Sequence, residues 1–215
     1  TFGEADRPAR PPLNLLGDYA GGALMGAIGL LSGLLQARTT GKGAVIDVAM
    51  TDGVALMTAL FHALKARGLW TDTRDANLLD GSTPFYRCYR CRDGGEVAVG
   101  ALEPRFYAAL ISGLGLSAEE APQYERDRWP EIAERFATLF ATRDRDDWAD
   151  RFAGTEACVT PVLTLDEAVT HPHNAARGTF TDEGAPGPAP LFNGIRPTAK
   201  AASAFGVEDA LKRWS

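Results

Sequence analysis

Histidine and cysteine are scarce in this chain, with three of each among 215 residues. Three thiols cannot build a disulfide framework, which points to a reducing compartment, the cytoplasm, rather than to a stapled secreted domain. An excess of basic charge is also missing: 22 Lys and Arg face 28 Asp and Glu, for a net charge of −6. Phosphate neutralisation needs clustered cations, and the scattered ones here argue against nucleic acid as a partner. No apolar run reaches membrane length. The longest, Ala23 to Leu35, is interrupted by Gly26, Gly29, Ser32 and Gly33. It falls short of the roughly 20 residues a span requires and reads as a buried helix of a protein with no membrane partner. The chain opens on Thr1, without an initiator Met or a signal-peptide pattern, and is expected to follow a preceding segment.

What is present suffices for a core, since 45% of the residues are hydrophobic. Residues 1–12 hold three of the 13 prolines and read as a linker. From Asp18 to Arg38 small and apolar residues dominate. Each glycine there costs a helix roughly 0.5–1 kcal/mol relative to Ala, so close helix contact is the expected reason for so many. Gly41 and Gly43 end that helix, Ala44–Met50 has the β-branched content of a short buried strand, and a second helix is expected over Thr51–Arg67. Beyond Thr83 the period changes. Two β-rich runs flank Arg92-Asp93-Gly94-Gly95 as a hairpin, and amphipathic helices are expected at Pro104–Leu114, Trp129–Ala141 and Asp146–Phe152. Cys158–Leu163 reads as a strand, Leu165–Ala176 as a short helix, and Gly178–Pro197 as an extended segment before an amphipathic tail at Val207–Trp214. The fold class is α/β plus α+β: a partial large α/β domain (13–50), a connecting helix (51–79), a compact α+β small domain (80–165), a return segment (166–197) and a tail toward the large domain (198–215).

Several motifs have ordinary explanations. Cys88 and Cys91 form a C-x-x-C without a second ligand pair, so no metal is expected. Gly41-Lys42-Gly43 lacks the phosphate-loop spacing and suits a helix C-cap. His62, amid Leu60, Phe61 and Leu64, reads as a satisfied structural histidine, and His171 and His173 as solvated loop residues. Two acids stand out. Asp18 precedes the Gly-rich helix, where spacing alone favours an N-cap. Glu103 sits between an apolar strand end and Pro104, at a junction where burial and a helix dipole tune a carboxylate for proton transfer.

Five strings stand in order along the chain: Asn14-Leu15-Leu16-Gly17-Asp18-Tyr19-Ala20-Gly21-Gly22, Thr40-Gly41-Lys42-Gly43, Asn77-Leu78-Leu79-Asp80-Gly81, Val99 to Tyr107, and Ala157 to Leu163. Together they resemble the α-methylacyl-CoA racemases of the family III CoA-transferase group over about residues 11 to 192, with the string around Glu103 the most specific. The resemblance implies a two-domain protomer in an interlocked homodimer, with an acyl-CoA thioester as substrate. It makes Asp18 an acid/base on the α-carbon and Glu103 the support of an opposing histidine base in an N-terminal segment that carries most of the CoA-binding surface. This chain has no histidine before His62, so the resemblance places it in the C-terminal part of such a protein, with little or no racemase activity expected alone. Tyr86, Leu79 and Leu102, beside the matching strings, are the candidate substrate-binding residues.

The chemistry accounts for two such groups. A thioester acidifies its α-proton, but a positioned base must still remove it while hydrogen bonds stabilise the enolate, and inversion needs a protonated group on the opposite face. No metal or redox cofactor is implied, because CoA arrives as part of the substrate. Two other readings remain. In family III CoA-transferases the matching aspartate is a nucleophile, although those relatives generally lack the glutamate string. Alternatively the chain is a noncatalytic dimerisation module, in which Asp18 and Glu103 serve only as helix caps.

Overall fold

The dense apolar stretch after Asn14 winds into one continuous helical run. In this computed structural model, which describes residues 3–198, Leu15–Leu24 is a π-helix that passes directly into α1, Met25–Thr40. Gly41 ends α1 in the left-handed region at φ 71°, its amide donating to the Ala37 carbonyl at 2.9 Å. Only glycine takes that conformation without a steric penalty, so the C-cap reading of this turn holds.

Three expectations for this region are corrected. Ala44–Met50 is not a strand: it has no ladder partner among the described residues, and Met50 already begins the next helix. β-branched residues favour a pleated surface only where a neighbouring strand completes it. Ile46 instead lays its side chain over α1, where a Cβ on Gly29 or Gly33 would come within 2.9 or 2.5 Å of it. Second, Ala23–Leu35 is not buried. No residue of α1 is buried, and Leu31 keeps 67% of its surface and Leu35 65%. Third, the run from Leu15 to Thr40 spans 26 residues, long and apolar enough to cross a membrane by length and composition. The apolar count from Ala23 missed the π-helical turns ahead of it.

The single helix expected over 51–67 is two, α2 (Met50–Met57) and α3 (Ala59–Ala66). Thr58 divides them, its hydroxyl donating to the carbonyls of Val54 at 3.1 Å and Ala55 at 3.0 Å. Such back-bonding competes with the helical ladder.

The sheet is confined to the next stretch. β1 (Tyr86–Arg90), β2 (Glu96–Gly100) and β3 (Val159–Pro161) form an antiparallel sheet in the order β1-β2-β3, with Cys88 opposite Ala98 and Ala98 opposite Thr160. The period-2 alternation sends Tyr89, Val97 and Val99 inward onto α4 (Pro104–Leu114), α5 (Trp129–Phe140) and α6 (Arg145–Phe152). Phe85, Leu110, Ile132, Phe136 and Phe140 are at most 1% exposed, each worth roughly 1.5–3 kcal/mol of burial. Tyr89 stacks on Phe140 at 5.0 Å, and the Trp148 indole donates to the Phe140 carbonyl at 2.8 Å. Helices packed on a small three-stranded sheet give a mixed α/β fold.

The chain divides into two units, residues 1–162 and residues 163–215. The second carries α7 (Leu165–Thr170), opened by a reciprocal capping box between Thr164 and Glu167, and α8 (Pro172–Ala176). Its return segment is tied by Arg196, which donates to the carbonyls of Pro188 at 2.7 Å and Arg177 at 3.0 Å. The tail expected at Val207–Trp214 lies outside the described residues.

Candidate functional site

Glu103 falls where β2 has ended and Pro104 occupies the first turn of α4. It is the N-cap by backbone, at φ −74° and ψ 145°, but its side chain caps nothing. The backbone around it is tied on three sides. The Ala101 amide donates to the Phe85 carbonyl at 2.9 Å, the Gln123 side-chain amide donates to the Leu102 carbonyl at 2.8 Å, and the Tyr107 amide donates to the Glu103 carbonyl at 2.9 Å. The carboxylate itself is exposed and stands near Cys158, whose thiol is held above its ordinary pKa by partial desolvation and then by the Glu103 charge.

Beside Cys158 the outer face of the sheet forms a groove of about 610 Å³, lined by Leu79, Tyr86, Cys88, Ala98, Gly100 and Thr160 among others. Tyr86 and Leu79 thus meet in one groove. Leu102 does not line it, and its carbonyl instead receives the Gln123 bond. Cys88 faces the groove while Cys91 is buried, its thiol pushed up to about 11 by burial and the Asp93 charge. The two thiols therefore do not converge on one ion, and among the described residues no cluster of His, Cys, Asp and Glu is arranged to hold a metal.

A second cavity of about 380 Å³ lies on the helical side, with Leu16, Met57, Phe61, Trp70 and Leu79 as its apolar wall and the Lys65–Asp72 ion pair as part of its polar lining. Leu79 lines both spaces. It is carried by a loop built on Asn77, a buried side chain that donates to the Thr73 carbonyl at 2.9 Å and to the Asp80 carboxylate at 2.8 Å. His62 also lines this cavity, where the sequence led us to expect a satisfied core histidine. It is exposed and its imidazole has no hydrogen bond among the described residues, because α3 turns that side outward.

Asp18 lies two residues beyond Leu16 on the π-helix. The N-cap role expected from spacing is not what the structure shows: the helix begins at Leu15 after Asn14, and the Asp18 amide already donates to the Asn14 carbonyl at 3.1 Å. Its carboxylate is exposed in the first turn, where the free amides of a helix favour negative charge. It has no hydrogen bond or ion pair among the described residues, and none joins it to Glu103. Leu79 borders both the cavity that Leu16 lines and the groove that Cys158 lines, and neither acid is among the residues lining either space.

The profile of CoA-transferase family III matches residues 1–204. The chain is 44% identical over 197 residues to the α-methylacyl-CoA racemase of Mus musculus, covering 89% of this chain and 52% of that protein. It is 48% identical over 186 residues to the α-methylacyl-CoA racemase of Homo sapiens, covering 84% of this chain and 49% of that protein. The chain thus spans about half the length of these relatives. In fold it is similar to a CaiB/BaiF family protein from Brucella suis, at a TM-score of 0.70 and 22% identity, over 99% of this chain and 58% of that one.

Proposed function

Because the chain belongs to the CoA-transferase family III, whose members handle CoA thioesters, we propose that it serves a racemase acting on 2-methylacyl-CoA thioesters. One observation carries the reading: Asp18 and Glu103 both present exposed carboxylates that cap no helix and pair with no cation among the described residues. A free carboxylate is a competent proton acceptor, whereas one spent on a cap or an ion pair is held in its charged form. Asp18 removes or returns the α-proton on one face, and Glu103 supports the base on the other. Tyr86 and Leu79 contact the acyl part, and CoA enters with the substrate, so the proton transfers call for no metal or redox group.

The same observation weakens the alternative in which both acids are kept as helix caps, since neither side chain is one. The transferase alternative retains Asp18 as nucleophile but leaves Glu103 without a task. The apolar face of the helical side is closed, in this reading, by a second copy of the protein: Leu24, Leu30, Leu31 and Leu35 each keep at least 60% of their surface, and a face of that kind favours association.

The test is α-proton exchange of a 2-methylacyl-CoA in deuterated water, with the product's stereochemistry read out. It is run on this chain and on this chain fused to the N-terminal half of the human relative, where the resemblance puts the second base. We expect Asp18→Asn and Glu103→Gln in the fusion to lower racemisation by about 10²- to 10⁴-fold with the fold preserved. An undiminished rate in Asp18→Asn would sink the reading, and transfer of CoA from the thioester to a free carboxylic acid without α-exchange would replace it by the transferase.

A further inference from the structure

From residue 15 to residue 66 the buried positions are two glycines, Gly21 on the π-helix and Gly53 on α2. They face each other. A Cβ built on Gly53 would run into the Gly21 carbonyl oxygen and lie 2.7 Å from its Cα and 2.8 Å from its carbonyl carbon. On the other side, a Cβ on Gly21 would sit 3.0 Å from both the Met50 carbonyl and the Val54 side chain. These neighbours are mostly main-chain atoms, which cannot swing aside as a side chain would. Any residue larger than glycine at 53 therefore pushes the π-helix and α2 apart.

Asp18 stands three residues before Gly21 in the same π-helix. Nothing but its own backbone holds its carboxylate, because its side chain has no hydrogen bond or ion pair among the described residues. Wherever the π-helix is seated, the carboxylate follows. We propose that Gly53 is a positioning residue for Asp18: the main-chain contact it allows fixes how far the Asp18 carboxylate stands out from α2. The inference rests on Asp18 acting as the acid/base. Displacing such a group by about 1 Å costs on the order of 10²-fold in rate.

The experiment uses the fused protein above, with Gly53→Ala compared with Gly26→Ala, an α1 position where an added Cβ meets nothing within 4 Å. Gly53→Ala should lower kcat for α-proton exchange by about 10²-fold with KM little changed, while Gly26→Ala leaves both as they were. Lengthening the acid should recover part of the loss, so Gly53→Ala with Asp18→Glu should outpace Gly53→Ala alone. A merely structural role for Gly53 would not respond to that change. A folded Gly53→Ala whose kcat is within twofold of the parent overturns the proposal, as does failure of the longer acid to help. Should Gly53→Ala not fold, Gly21→Ala decides, since its new methyl meets the Met50 carbonyl at 3.0 Å across the same contact: lowered kcat at unchanged KM supports the proposal and unchanged kcat overturns it. If Asp18→Asn itself is fully active, the racemase reading has failed. If Asp18→Asn is inactive and Gly53→Ala is not impaired, the positioning role alone has failed.

Discussion

Glu103 and Asp18 are mounted in opposite ways. Glu103 rides on a junction pinned by three hydrogen bonds over a core of Phe85, Val97, Leu110 and Tyr107. Asp18 rides on an exposed helical surface that rests on one glycine pair. The difference follows from what each region buries. Among the described residues, 83–159 supply every buried member of the hydrophobic core cluster, whereas residues 15–66 bury nothing with a side chain. A fold can hold a functional group by packing around it or by seating its backbone on another, and the second way leaves the surrounding apolar surface free for a partner.

That contrast can be broken in measurable ways. Phe136→Ala, at a position with no exposed surface, should cost about 3–5 kcal/mol in urea denaturation, through lost burial and the cavity left behind. Gln123→Ala should cost about 1–3 kcal/mol, since the Leu102 carbonyl loses its donor; it should also slow α-proton exchange by loosening the Glu103 junction. Smaller still, Leu31→Ala, 67% exposed, should stay within about 0.5 kcal/mol in the species that sediments as a monomer. A cost of core size there would mean that the helical face is covered within one chain.

Much of the sheet region was legible in the sequence because local and global preferences agree there. Period-2 runs around Gly94-Gly95 give β1 and β2, and amphipathic spacing gives α4, α5 and α6, since each apolar face finds its partner within about 70 residues. The helical region was harder. The apolar content of Ala23–Leu35 and of Ala44–Met50 announces that these segments want cover, but not what supplies it, so burial and strand pairing were expected and neither is found. Asp18 was misplaced at a helix start because π-winding leaves no local signature. Gln123 and Gly53 escaped notice because their contacts, with Leu102 and Gly21, are distant in sequence and follow no period.

The order of the sheet bears on whether a foreign strand can join its edges. Of its two outer strands, β1 carries Arg87 and Arg90, and β3 is three residues long, from Val159 to Pro161. Charge, brevity and a proline that lacks an amide donor are what deter a foreign strand from adding to an exposed ladder. Growth by sheet extension is thus discouraged at both margins, where backbone groups would otherwise serve as a template for another chain.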